Sequence, residues 1–303
     1  MAADRVRIAA HAKLNLFLRI LAREAPSGYH QIETAFALLE LADDLVLTRT
    51  PAGVSLTVDG PDLGPSQENL AVRAAHAVLD ATGRKFGVTI ALTKRIPVRA
   101  GLGGGSSDAA AALHAVNALA GNAVPRPELL HLAARLGADV TFFASGAPAA
   151  VGWGRGERLF RLAPPPAAPA LVAVPPPSLA VATPDAYRWW DEMHLEPTPS
   201  SLPRGPVVLD ADAFAAWGSI GRLGGNDFEL PVFGRHASLR ALFERLAATH
   251  PYWVRLCGSG SAVAAVYASE RLREDAAMIL GEKQQQLIRT ATRPAPAPGP
   301  EAA

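Results

Sequence analysis

Between Pro97 and Asp108 the chain reads Pro-Val-Arg-Ala-Gly-Leu-Gly-Gly-Gly-Ser-Ser-Asp, with glycines at 101, 103, 104 and 105 and hydroxyls at Ser106 and Ser107. Glycine lets a backbone turn tightly and approach a ligand with no side chain in the way. The amides of such a run, with those of a helix's first turn, form a concave positive site that suits a polyphosphate. The run is not a Walker A loop, because no Gly-Lys-Ser/Thr closes it. A dinucleotide fingerprint fails too, since Ser106 stands where the third glycine belongs. Elsewhere, Asp139 directly follows the Gly137-Ala138 break and offers a carboxylate for proton transfer. Lys13 and Asn15 project from one face of an alternating segment, roughly 7 Å apart. Asn15 and His30 can read the edge of a base, and Tyr29 can stack on its face. The histidines form no Cys/His or HExxH spacing, so no protein-built metal site is expected.

These groups need elements to hold them. Val6 to Ile20 alternates as a strand, and Leu45–Thr48 and Val54–Val58 are further strand candidates. Asp43-Asp44 reads as a strand-entry turn rather than as catalytic. A helix is expected from Asn69, its cap, to Asp80. Phe86–Leu92 returns to alternation and leads through Lys94 into the glycine run. A helix follows, with Ala109, Ala112, Leu113, Val116 and Ala120 as its apolar stripe. Pro127–Leu136 is another helix, with proline in its first turn. Two triple-proline runs confine the strand Ala170–Val174 between them. Leu239, Leu242, Phe243 and Leu246 mark a C-terminal helix, and Trp253–Cys257 a strand that runs into Gly258-Ser259-Gly260-Ser261. The expected organisation is residues 1–160, residues 161–289, and a disordered Ala/Pro-rich tail over 290–303.

The 303 residues suffice for one large or two moderate domains, and their 49% apolar and 19% charged composition is globular. With 29 basic and 28 acidic residues, no global field attracts nucleic acid or an anionic membrane. One cysteine, Cys257, allows no internal disulfide and fits a reducing compartment. No secretory signal or membrane span is read, so the cytoplasm is the expected location.

Pro97-x-x-x-Gly101-Leu102-Gly103-Gly104-Gly105-Ser106-Ser107 resembles the ATP-binding motif of the GHMP kinases, a superfamily that includes galactokinases, homoserine kinases and mevalonate kinases. Ala12-Lys13-Leu14-Asn15-Leu16, Gly28-Tyr29-His30, Gly137-Ala138-Asp139-Val140, Gly154-Arg155-Gly156-Glu157, Asn226-Asp227-Phe228-Glu229 and Gly258-Ser259-Gly260-Ser261 occur in order along the chain. Together they are similar to the branch that acts on a cytidine diphosphate-linked methylerythritol in the non-mevalonate route to isoprenoid precursors.

The resemblance implies an α+β, two-lobed GHMP kinase fold. Its N-terminal lobe would hold a left-over-right type βαβ phosphate loop, and its C-terminal lobe would be ferredoxin-like. It implies ATP and Mg2+ as cofactors. Lys94, Pro97, Val98, Arg99, Ala100, Gly101, Leu102, Gly103, Gly104, Gly105, Ser106 and Ser107 would surround the nucleotide. Asp139 would be the base, with Lys13 beside it. Asn15 and His30 would contact cytosine between Tyr29 and Tyr187, and Thr183, Gly258 and Ser259 would meet the substrate phosphates. The expected partners are this small molecule and ATP, with no nucleic acid and no membrane, for a monomer or weak homodimer. Thr141 departs from the usual proline of Gly-Ala-Asp-Val-Pro, and Ala182-Thr183 from a frequent Ser-Thr. The rival readings are another GHMP small-molecule kinase, acting on homoserine or mevalonate, and a non-catalytic ligand-binding relative.

Overall fold

The computed structural model describes residues 4–25, 27–194 and 210–303. β1 (Arg5–Arg23) and β2 (His30–Thr50) form a long antiparallel hairpin whose register slips at His11/Lys13, Asn15/Phe17 and Ile20/Ala22. Bulges of this kind re-aim side chains and often lie near sites, and here two of them bracket Lys13 and Asn15. The alternation of Leu14, Leu16 and Leu18 predicts one buried face. Instead every residue from Ala10 to Leu18 is buried, because the hairpin lies at the centre of the molecule with elements on both faces.

On the N-terminal side, β3 (Val54–Asp59) and β4 (Gly87–Thr93) run parallel, joined by helix α1 (Leu70–Ala81). As the sequence indicates, Asn69 caps α1, its Oδ1 accepting from the Ala71 amide at 2.9 Å. β4 pairs with β2, and β5 (Ala149–Gly154) pairs with another stretch of β2 and with β6 (Arg158–Arg161). Helices α2 (Gly104–Leu119), α3 (Arg126–Leu136) and α4 (Ala138–Ser145) pack over this sheet. α2 carries buried alanines at 109–112 and 115, so it can lie close against α1, α4 and β1.

The second half of the chain builds its own sheet from β7 (Pro169–Val174), β8 (Trp253–Leu256), β9 (Val263–Val266) and β10 (Gln286–Arg293), in the order β10-β7-β9-β8, all antiparallel. It carries α5 (Thr183–His194), α6 (Trp217–Ile220), α7 (Glu229–Arg235), α8 (Ala237–Ala247) and α9 (Glu270–Leu280). Thr292 and Arg293 at the end of β10 pair with Leu39 and Leu38 of β2, which joins the two sheets. The Asn226-Asp227-Phe228 segment stitches them again. The Ile20 amide donates to Asp227 Oδ2 at 2.8 Å, and Asn226 Nδ2 donates to the carbonyls of Leu256 and Gly258 at 2.9 and 2.6 Å.

Two expectations are corrected. Asp43-Asp44 lies inside β2, not in a turn, and Asp43 is fully buried because its carboxylate is used internally. The segment 290–303 is not a loose tail. β10 continues to Arg293, Ala297 packs on the N-terminal core, and β11 (Glu301–Ala302) pairs with Arg7 and Val6 of β1. A strand edge on β1 supplies the backbone partners that proline-rich composition cannot reveal. Among the described residues, no helix is long and apolar enough to cross a membrane.

Candidate active site

The strand–loop–helix order β4, 94–103, α2 fixes the glycine run at a helix N-terminus. Gly101 and Gly103 have φ of +79° and +75°, the left-handed region that favours glycine. A Cβ on Gly101 would sit 1.7 Å from the Cys257 carbonyl oxygen, so the loop packs directly on the 257–260 turn. Over Gly105 there is nothing within 4 Å of a Cβ position, and that glycine is exposed. The amides of Gly104, Gly105 and Ser106 open α2 with no intrahelical acceptor, while the Ser107 amide already bonds to Gly103 O at 2.9 Å. These three amides and the positive end of a sixteen-residue helix make an anion cradle.

Not every residue of the run faces that cradle. Ala100 and Leu102 are core residues and offer only backbone. Val98 and Arg99 are exposed. Ser107 is buried, and its hydroxyl donates to His11 O at 2.7 Å, so it anchors α2 to β1. Ser106 remains at the cavity.

Lys13 and Asp139 meet as the sequence pattern implies. Lys13 Nζ is 3.5 Å from Asp139 Oδ2, with the lysine side chain 4% and the aspartate 35% exposed. Asp139 stands in the first turn of α4, and Lys13 comes from the bulged part of β1. Lys13 Nζ also donates to Asn15 Oδ1 at 2.5 Å, and Asn15 Nδ2 donates to Thr34 Oγ1 at 2.9 Å. Asn15 is therefore a buried holder of the lysine ammonium. A cavity of about 380 Å3 has this pair together with Gly103, Ser106 and Ser259 on its wall. Thr183, at the start of α5, links to Ser259 by a 2.9 Å hydroxyl contact and closes the far side.

A second cavity, of about 950 Å3, shares Ala138, Arg155, Thr183 and Tyr187 with the first. Tyr29 and His30 line it. Tyr29 is exposed, and the Arg155 guanidinium covers one face of its ring at 3.9 Å. His30 is buried, bonds through Nε2 to Asp191 Oδ1 at 2.7 Å, and is stacked on Tyr187 at 4.5 Å. Burial pushes the Tyr187 hydroxyl up to about 12, with the Asp139 charge adding to it, so this phenol stays protonated at any neutral pH.

Lys94 points inward. Its ammonium bonds to Asp43 and, at 2.8 Å, to Asp108 Oδ2, beneath Gly104. Sequence gives neither acid this role: Asp43 reads with Asp44 as a turn, and Asp108 as the residue that ends the glycine run, because their shared partner Lys94 lies 51 and 14 residues away along the chain. Arg155 was also passed over. Its signal was present in Gly154-Arg155-Gly156-Glu157, where both glycines take positive φ and so hold the arginine at the tip of a tight turn.

Fold, cradle and acid–lysine pair together define a GHMP-type phosphotransferase. Residues 69–147 match the family model described as the GHMP kinases N terminal domain. The 4-diphosphocytidyl-2-C-methyl-D-erythritol kinase of Solibacter usitatus is 38% identical over 286 residues, 94% of this chain and 88% of that protein. A crystal structure of 4-(cytidine 5'-diphospho)-2C-methyl-D-erythritol kinase superposes with a TM-score of 0.77 at 37% identity, covering 94% of this chain and 98% of that one. Homoserine kinase from Cytophaga hutchinsonii shares the fold, with a TM-score of 0.69 at 17% identity over 99% of this chain and 98% of that one. This chain belongs to the 4-diphosphocytidyl-2-C-methyl-D-erythritol kinase family.

Proposed function

We propose that this protein transfers the γ-phosphoryl group of ATP to the 2-hydroxyl of 4-diphosphocytidyl-2-C-methyl-D-erythritol, giving the 2-phosphate and ADP. The observation that carries the reading is the Lys13–Asp139 pair, set 3.5 Å apart on the wall of the cavity that contains the cradle residues Gly103 and Ser106. In phosphoryl transfer the protein contributes position and charge rather than covalent chemistry. The cradle amides hold the polyphosphate. Asp139 accepts the hydroxyl proton as the substrate oxygen bonds to the γ-phosphorus and the bond to the bridging oxygen of ADP breaks. Lys13, fixed by Asn15, supplies positive charge beside them.

ATP arrives as its magnesium complex, which neutralises phosphate charge. Magnesium is usually held by phosphates and water with few protein ligands, so the nucleotide itself can carry the ion into the cavity. Tyr29 and His30, with Tyr187 stacked on the latter, form the nucleobase end of the larger cavity, and Arg155 and Thr183 lie between it and the reacting centre. In the second sheet, the first strand lies between the fourth and the third, an arrangement that supports a ferredoxin-like lobe. We read the βαβ unit that carries the phosphate loop, between β4 and α2, as the left-over-right type. The single cysteine, Cys257, suits the reducing cytoplasm, and we read the protein as a monomer or weak homodimer.

Base stacking on an aromatic ring is worth about 1–3 kcal/mol. Tyr29→Ala should therefore raise KM for the cytidyl substrate about tenfold to a hundredfold and weaken inhibition by CDP in parallel, with kcat within about threefold. Unchanged CDP inhibition would remove Tyr29 from the base pocket. Failure of CDP to compete with substrate in the unmodified protein would contradict the cytidyl reading itself.

A further inference from the structure

Beneath the phosphate cradle lies a buried cluster that the phosphoryl-transfer step does not use. Asp43 comes from β2, Lys94 from the residue that follows β4, and Asp108 from the second turn of α2. Their side chains are 0%, 4% and 3% exposed. Asp43 Oδ1 accepts from the amides of Arg95 and Ile96 at 2.6 and 2.8 Å, which pins the entry to the loop. Its other oxygen holds Lys94 Nζ, which in turn holds Asp108 Oδ2 at the loop's exit. Lys94 Nζ is 3.3 Å from where a Cβ of Gly104 would stand, so the cluster sits directly under the cradle amides.

The charges do not balance. Two carboxylates face one ammonium, and Asp108 Oδ1 has no hydrogen-bond partner among the described residues. A buried carboxylate oxygen with no donor is costly as a charge and is relieved by carrying a proton. Burial pushes the Asp108 carboxyl up to about 7, against the pull of Lys94 and helped by the negative charge of Asp43. These two are the charged groups acting on it. Burial opposes the Lys94 ammonium, yet Asp108 and Asp43 more than offset this and hold it above the usual lysine range. So the ammonium persists, and Asp108 is the member that titrates near neutrality. A polyphosphate settling on the amides above adds negative charge on the same side, which favours the protonated carboxyl further.

We propose that Asp43, Lys94 and Asp108 are positioning residues that clamp both ends of the phosphate loop, and that Asp108 takes up a proton from solvent when the ATP polyphosphate binds. The proposal rests on the reading of the loop as the ATP cradle. The net change is one proton moved from buffer to a carboxylate oxygen, with no bond made or broken on the nucleotide. Above pH 7 the free protein must gain that proton to bind, so ATP binds more weakly as pH rises.

The test is isothermal titration calorimetry of the full chain with Mg-AMP-PNP at pH 7.5, in two buffers of different ionisation enthalpy. The expected uptake is about three-quarters of a proton per nucleotide bound, roughly the fraction of a carboxyl titrating at about 7 that is still ionised at pH 7.5. Asp108→Asn puts an N–H where the orphan oxygen stands, and it should abolish the uptake. In steady state it should flatten the rise of KM for ATP between pH 7 and 8.5, a rise of about tenfold in the unsubstituted protein, while moving kcat far less. A purely structural role for Asp108 would lower stability without altering that pH profile. Binding with no proton uptake in the unsubstituted protein would overturn the proposal alone, whatever the variant's stability. Absence of AMP-PNP binding would overturn the cradle reading and the proposal with it.

Discussion

Replacing Asp139 by Asn is expected to lower kcat about 10²- to 10⁴-fold, the range of a general base, and to leave KM for ATP within about threefold. Asparagine keeps the size of the side chain and its place in the first turn of α4, so the fold is retained. On the proposed mechanism, what is lost is the acceptor for the hydroxyl proton. The carboxylate is 35% exposed and lies 3.5 Å from a lysine that is 4% exposed, so solvent reaches the acid while the cation is held from within the protein. Lys13→Met should also depress kcat, because Asn15 Oδ1 would lose its donor and the cavity its buried positive charge. ADP release under saturating Mg-ATP measures both. A loss of less than tenfold in Asp139→Asn would assign the proton to another acceptor.

The second large effect concerns the loop itself. Gly101→Ala places a methyl 1.7 Å from the Cys257 carbonyl oxygen and 2.6 Å from its carbon, both main-chain atoms that cannot swing aside. The φ of +79° adds strain of about 1–3 kcal/mol for a residue with a Cβ. The loop must then leave the 257–260 turn, and the cradle amides move with it. The expected result is a KM for ATP raised more than about tenfold, with Tm lower by about 5–10 °C. Gly105→Ala separates the two causes. Its Cβ meets nothing within 4 Å, so Tm should hold, and any rise in KM would report crowding of the phosphates above it. A Gly101→Ala protein with ordinary Tm and KM would contradict the packing of loop on turn.

Local pattern carried the parts of this molecule that depend on neighbours in sequence. The helix opened by Asn69, the glycine run before α2 and the proline-bounded β7 were all legible, because caps, positive φ and proline act within a few residues. Lys13 and Asp139 also came together, through motif order rather than spacing alone. What was hidden depends on distant partners. Asp43 reads like a turn residue next to Asp44, and only the return of β4 and α2 turns it into the acceptor for Lys94. Ser107 looks like a phosphate ligand until β1 offers the His11 carbonyl behind it. The Ala/Pro-rich end looks unstructured until β1 supplies an edge for Glu301 and Ala302.

His30 and Tyr187 illustrate the same limit at the nucleobase end. Residue type suggests a histidine that reads the base, and the family resemblance implies an aromatic wall, Tyr187, opposite Tyr29. In the structure Tyr187 lies on His30 itself, and Asp191 of the same helix holds the histidine through Nε2. No periodicity of α5 discloses that contact, because it spans 161 residues of chain.

The most direct test of the central claim is ADP release by the purified protein with Mg-ATP and, in turn, 4-diphosphocytidyl-2-C-methyl-D-erythritol, mevalonate and homoserine. The account predicts turnover with the cytidyl substrate alone. Turnover with mevalonate or homoserine at a comparable kcat/KM, or none with the cytidyl compound, would contradict it.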